Sequence, residues 1–369
     1  MKARAVPQSR FIDQAFYSLN LPDLDELWGA LRDRPTLETV SSVGQGLIYR
    51  GQDSPRGGLT YANERFAGAQ LGFVTFDRGL LLNELPSRHW MNLSGDVVRR
   101  PMSGTTVGTP QVLLNYAPAS RGPWRLKALL DRQGHPVTSR FIAVRPMEKS
   151  ISLETLWALL NGPIANAFAY SHLGKRDNIV GDIRRIPLPL QCASAALDRA
   201  VAAYWDAASN QAQPAELERL LLRVDAEGLK LYDMPLDLEQ QVLSLFADWK
   251  RVGVPFAQNR YLPASIEGKL SLLQFLEMEG AWSVTNRERG RLIDKNIAGT
   301  ITVEERARLE VLQAYADYHL QSVSPRPTHL LDELERRRET RGGVPDGRLR
   351  VPSTTAPSAA WPGRLQGLR

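Results

Sequence analysis

The chain has 369 residues, 43% of them hydrophobic, and carries 46 Lys and Arg against 40 Asp and Glu, a net charge of +6. This composition excludes an intrinsically disordered protein and supplies enough apolar mass for about two domains with accessory pieces. No apolar run reaches the roughly 18 residues a membrane span needs, and the N-terminal MKARAVPQSRFIDQAF lacks a signal-peptide core, so the expectation is a cytoplasmic protein with no membrane partner.

In chain order, the spacing of Leu24, Leu27, Trp28 and Leu31 predicts a short helix with those four on its buried face. The runs GLIYRG (46–51), LGFVTF (71–76) and GLLLNEL (79–85), bounded by glycine and polar residues, have the pattern of strands. PQVLLNYAPASRGPWRLKALLD (110–131) predicts a strand, a turn and a second strand. In that second strand Trp124, Leu126, Ala128 and Leu130 share a face, so Arg125 and Lys127 are expected to project together from the other. VTSRFIAVRP (137–146) is a further strand, with Arg140 near its start.

From Ser152 the apolar period becomes helical, through Leu153, Leu156, Trp157, Leu160, Ile164 and Phe168, with a break at Asn161, Gly162 and Pro163 and an end at Gly174. Ile186-Pro187-Leu188-Pro189 must be extended, because each proline fixes its own φ and pushes its predecessor out of the helical region. Three helical segments follow: one on Leu197, Val201, Tyr204 and Trp205, one on Leu217, Leu220, Leu221 and Val224 after Pro214, and one on Leu238, Val242, Leu245, Phe246 and Trp249. The final 29 residues, from Arg341, hold nine Gly or Pro and few core formers, which predicts a disordered tail. The fold class is therefore α+β: a mixed α/β domain over 1–192, a helical scaffold over 193–262, a helical hairpin over 263–340 and a tail over 341–369.

The position of the charge is more informative than its size. Between Arg121 and Arg185 there are eleven Lys or Arg against five Asp or Glu, a local excess equal to that of the whole chain. These cations fall in strands and turns interleaved with Trp124, Phe141, Trp157 and Tyr170, the composition of a surface that tracks a phosphate backbone.

Catalytic and metal signatures are missing from the sequence. It has no Walker loop, no GxSxG, no two-carboxylate nuclease pattern and no Pro-Pro dipeptide, hence no Asn-Pro-Pro-aromatic loop for amino methylation. The only cysteine, Cys192, and five scattered histidines offer no zinc spacing. DKNIAGTITVEE (294–305) matches part of a calcium loop, but Ala298 stands where an oxygen ligand belongs. Two Thr-x-x-Glu capping boxes, at Thr285 and Thr302, with Gly299 as the turn between helices, account for it better.

Taken in order, NYAPASRGPWRLKALLD, TSRFIAVRP and ISLETLWALLNGPIANAFAYSHLGKRDNIVGDIRRIPLPL resemble the target-recognition region in the C-terminal part of restriction-modification N6-adenine DNA methyltransferases, of type IIG and type I-like. LLRVDAEGLKLYDMP (221–235) resembles the helical segment that follows such regions, and the likeness spans roughly residues 110–260. The resemblance implies a specificity subunit or domain that binds double-stranded DNA and directs a methyltransferase or restriction catalytic partner. It implies DNA-facing roles for Ser120, Arg121, Arg125, Lys127, Ser139, Arg140, Lys175, Arg176 and Asn178, with Arg184 and Arg185 on phosphate or structural carboxylates and Pro187 and Pro189 as architecture. The family's catalytic half and cofactor motifs are absent, so no methylation by this chain alone is expected; S-adenosylmethionine would belong to the partner. The alternative reading is a helical protein-interaction module on a decayed methyltransferase C-terminal fragment.

Overall fold

A computed structural model describes residues 24–51, 58–147, 151–172, 177–258 and 260–323. The chain divides into two compact units, Met1–His319 and Leu320–Arg369. Of the second only the last residues of one helix are described, and the expected tail lies outside the described residues.

Among its described residues the first unit runs from α1 (Asp25–Ala30) and α2 (Leu37–Val40) through β1 (Ser41–Gln45), β2 (Ile48–Tyr49), β3 (Tyr61–Ala62), β4 (Gln70–Phe73), β5 (Arg88–Met91), β6 (Val98–Arg100), β7 (Gln111–Asn115), β8 (Ala128–Asp131) and β9 (Phe141–Pro146). Helices α3 (Leu153–Asn161), α4 (Pro163–His172), α5 (Val180–Arg184), α6 (Ala195–Ser209), α7 (Pro214–Leu231), α8 (Leu236–Leu245), α9 (Leu272–Gly280) and α10 (Trp282–Ile297) follow, and α11 (Val303–Val323) runs past His319. The class is α+β, as the sequence indicates.

The central sheet has the order β1-β9-β7-β8, antiparallel throughout. Alternation sends Val112, Leu114, Ala128, Leu130, Ile142 and Val144 into the main core with the helices. Leu113, Leu129, Phe141 and Ala143 face a smaller core closed by Phe73 and Val137, with Phe76 and Leu80 packed against it. Both faces are therefore covered, which is why β7, β8 and β9 are almost wholly apolar rather than alternating.

Strand β8 is an edge, and α3 and α4 close it with side chains. Asn161 Oδ1 accepts from Ala128 N at 2.9 Å, Asn161 Nδ2 donates to Ala128 O at 3.0 Å, and Asn166 Oδ1 accepts from Leu126 N at 2.8 Å. These bonds satisfy backbone groups that burial has cut off from water. The break predicted at Gly162-Pro163 falls between α3 and α4, and Ser152 caps α3 by accepting from Thr155 N.

The proline tract is extended and tied down: Leu188 N donates to Pro35 O at 2.7 Å, Leu37 N donates to Ile186 O at 2.9 Å, and Tyr232 Oη donates to Pro187 O at 3.0 Å. Behind it, Asp225 of α7 forms a buried pair with Arg251, whose Nη2 also donates to Asn161 O at 3.0 Å; Tyr261 Oη donates to Asp225 Oδ2 at 2.8 Å. The Arg251 guanidinium lies 4.5 Å from the centre of the Trp124 ring.

Three local expectations are corrected. GLLLNEL is turn and coil, not strand, because its carbonyls bond to side chains elsewhere in the fold rather than to a ladder. The second strand of the 110–131 hairpin starts at Ala128, since Asn115 and Asn166 take the backbone N–H groups of Lys127 and Leu126. Helix α10 begins at Trp282, so Thr285 is a buried interior residue rather than a cap. The capping box at Thr302 is present, with Glu305 N donating to Thr302 Oγ1 and Thr302 N to Glu305 Oε2, both at 3.2 Å. Gly299, at φ +69°, makes the preceding turn in the left-handed region.

Candidate nucleic-acid interface

Register places the C-terminal end of β7 and the N-terminal ends of β8 and β9 side by side, with Asn115 opposite Phe141 and Leu114 opposite Ala128. The loops leaving that end carry Arg121, Arg125 and Arg140. They form a cleft of about 1000 Å³ that includes Thr75, Phe76, Arg78, Tyr116, Ser120, Arg121, Arg125, Arg140 and Asp177 in its walls. Four arginines thus reach one concavity from the segment after β4, the β7–β8 loop, its return limb and the segment before β9.

Two buried asparagines hold these loops in place. Asn115 Nδ2 donates to Ala117 O at 2.7 Å and Arg125 O at 2.8 Å, while its Oδ1 accepts from Lys127 N at 2.6 Å. Asn178 N donates to Tyr116 O at 2.8 Å and its Nδ2 to Asn115 O at 2.9 Å. Tyr116 N donates to Arg140 O at 3.0 Å, which joins the two walls through backbone. Ser120 Oγ accepts from Gly122 N at 3.1 Å, turning the chain beneath Arg121. The turn presses on Trp249: a Cβ at Gly122 would come within 2.2 Å of its ring.

Arg121 and Arg140 are exposed, and Arg125 is half-buried at the cleft. Burial lowers the proton affinity of Arg125, and the neighbouring Tyr170 and Asp177 act against that shift. Arg132 leans instead on Glu154, and Arg145 is buried with Nη2 donating to Ser103 O at 2.8 Å.

The structure therefore brings Ser120, Arg121, Arg125 and Arg140 together. Lys127 and Asn178 do not face outward, and their expected DNA-facing placement is corrected: both are fully buried, at 0% exposure. Lys127 Nζ donates to Arg78 O at 2.8 Å and to Leu80 O, and Asn178 pins backbone as described. Ser139 is half-buried, its N donating to Leu47 O at 2.7 Å and its O accepting from Gln45 Nε2 at 3.1 Å. Arg184 turns Nε and Nη2 onto Val43 O, at 3.1 and 2.8 Å, and Arg185 is exposed. Lys175 and Arg176 lie outside the described residues. Arg78 and Phe76 line the cleft from outside the resembling stretches, whereas Tyr116 lies in NYAPASRG and Asp177 in SHLGKRDNIV, both within them.

Among the described residues no group of three His, Cys, Asp or Glu could hold a metal ion, and no helix is long and apolar enough to cross a membrane. No family model and no curated protein matches the sequence. Solved structures with partial likeness include a chain from a study of complex assembly and conformational transition in the type I R-M system. It is 18% identical, with a TM-score of 0.31, over 54% of this chain and 43% of that one. Another is the HsdS subunit from Thermoanaerobacter tengcongensis, 18% identical, with a TM-score of 0.31, over 57% of this chain and 50% of that one. The chain spans about half the length of these solved chains or less.

Proposed function

We propose that this chain is a DNA sequence-recognition protein of the restriction-modification type, which lays duplex DNA along the arginine cleft and supplies sequence choice to a separate catalytic partner. The observation that carries the reading is the convergence of Arg78, Arg121, Arg125 and Arg140 on one open cleft beside Phe76 and Tyr116. Guanidinium groups suit both uses such a surface needs, since they pair with phosphate oxygens for register and bind guanine in two-pronged fashion for readout. Asp177 on the same wall is the kind of group that accepts from a cytosine amino group.

The link to restriction-modification rests on the order of sequence motifs between residues 110 and 260. On this reading the methyl donor, S-adenosylmethionine, and the base chemistry belong to the partner. A fluorescence-anisotropy titration of the full chain against a mixed-sequence duplex tests the proposal. Affinity should fall by about 2 to 4 log units per log unit of salt, as expected for two to four neutralised phosphates. Absence of binding at low salt, or salt-independent binding, overturns it.

A further inference from the structure

Lys127 is a buried cation in the region assigned to nucleic acid, yet its ammonium points away from the solvent. Nζ donates to the carbonyls of Arg78 and Leu80 and lies 5.7 Å from the centre of the Phe76 ring. Asp77 and Glu84 are the charged groups around it, and each is turned back into its own loop: Asp77 Oδ1 accepts from Gly79 N at 2.7 Å, and Glu84 Oε2 from Leu81 N at 2.8 Å. The far end of the same loop is anchored separately. Trp157 Nε1 donates to Leu82 O at 3.2 Å, and Leu82 N to Gly253 O at 2.8 Å.

The loop over 76–84 has no ladder of its own, so its carbonyls need donors from outside. Lys127 supplies two of them at the point where Phe76 and Arg78 turn into the cleft. A lysine kept from water at a cost in desolvation is a poor way to add general positive charge, and it is well suited to fixing a loop that bears a functional arginine.

We propose that Lys127 is a positioning residue for nucleic-acid binding: without touching nucleic acid, its ammonium holds the Arg78 and Leu80 carbonyls and thereby aims Phe76 and Arg78 into the cleft. The inference rests on the cleft being the nucleic-acid site. Its test is a double-substitution cycle in the full chain, read as Kd for a mixed-sequence duplex at fixed salt. Lys127→Met and Arg78→Ala are made singly and together, and Lys127→Met is also combined with Arg140→Ala, which lies outside this loop.

Lys127→Met should weaken binding about tenfold, the scale of one lost charge-assisted contact. Combined with Arg78→Ala it should be no weaker than the weaker single variant, because both remove the same contact; combined with Arg140→Ala the losses should multiply. Wild-type affinity in Lys127→Met, or multiplying losses with Arg78→Ala, overturns the inference. Should Lys127→Met fail to fold, Lys127→Gln, which retains a donor, should show a smaller loss with the same non-additivity, and multiplying losses there overturn it equally. Unchanged affinity in both Arg140→Ala and Arg121→Ala would instead remove the cleft itself as the binding site, whatever Lys127 does.

Discussion

Asn161 on α3 stands in for a missing strand at Ala128, its side-chain amide exchanging both backbone hydrogen bonds with that residue at 2.9 and 3.0 Å. An alanine here leaves a buried N–H and a buried C=O without partners. Asn161→Ala should cost about 2–4 kcal/mol, seen as a lower urea midpoint with an unchanged slope. An unchanged midpoint would mean that the edge is satisfied by other means.

Asp225 and Arg251 form an ion pair that is buried on both sides, joined by Tyr261 and stacked on Trp124. Removing one partner strands the other charge in the interior. Arg251→Met should therefore destabilise the chain by about 3–5 kcal/mol, measured by thermal unfolding. Trp124 begins the stretch leading into the cleft, so duplex affinity should fall in the same variant.

His172 lies face to face with Phe168, with ring centres 4.0 Å apart, and edge-on to Trp28. Burial, reinforced by the charge of Arg185 and opposed by a hydrogen bond to Phe168 O, pushes its pKa down to about 4. A histidine with a depressed pKa binds a proton more readily when unfolded, so its contribution is intact above about pH 6.5 and is lost as pH falls toward 4. Unfolding free energy should drop by on the order of 2–3 kcal/mol over that window. His172→Phe should flatten this part of the acid limb; identical limbs in the two proteins would assign the loss elsewhere.

Much of this architecture can be read in the sequence. The helical faces of Leu24, Leu27, Trp28 and Leu31, the break at Gly162-Pro163, the extended proline tract and the strands β7 and β9 all follow from apolar period and proline chemistry. The site is only half legible, and Lys127 shows why. Alternation correctly places it opposite Leu126, but alternation cannot distinguish solvent from a loop folded over that face. The loop over 76–84 is the hidden element. Its leucines have the composition of a strand, while its backbone is claimed by Lys127 and Trp157 from distant parts of the chain. Arg78 is therefore invisible in the sequence as a cleft residue, and Asn178, which the sequence presents as a surface group, serves as a backbone pin.

Gly122 has no room for a side chain against Trp249, so Gly122→Ala must shift either the ring or the turn that carries Ser120 and Arg121. With Trp249 partly exposed, the ring has room to move, and the cost should fall on binding more than on stability. A fewfold loss of duplex affinity with a melting temperature within a few degrees of wild type is expected from a displaced Arg121 contact. A large drop in melting temperature would make the turn a folding element instead.

The central claim is that the cleft arginines, rather than the chain's overall positive charge, engage DNA. Its most direct measurement compares the salt dependence of duplex binding in Arg121→Ala/Arg140→Ala with that in Arg219→Ala/Arg287→Ala, which removes the same charge from exposed helical positions. The cleft pair should flatten the log Kd against log salt slope by about 1.8, or 0.9 for each lost phosphate contact, and the helical pair should leave it unchanged. Equal slopes in the two double variants would contradict the account.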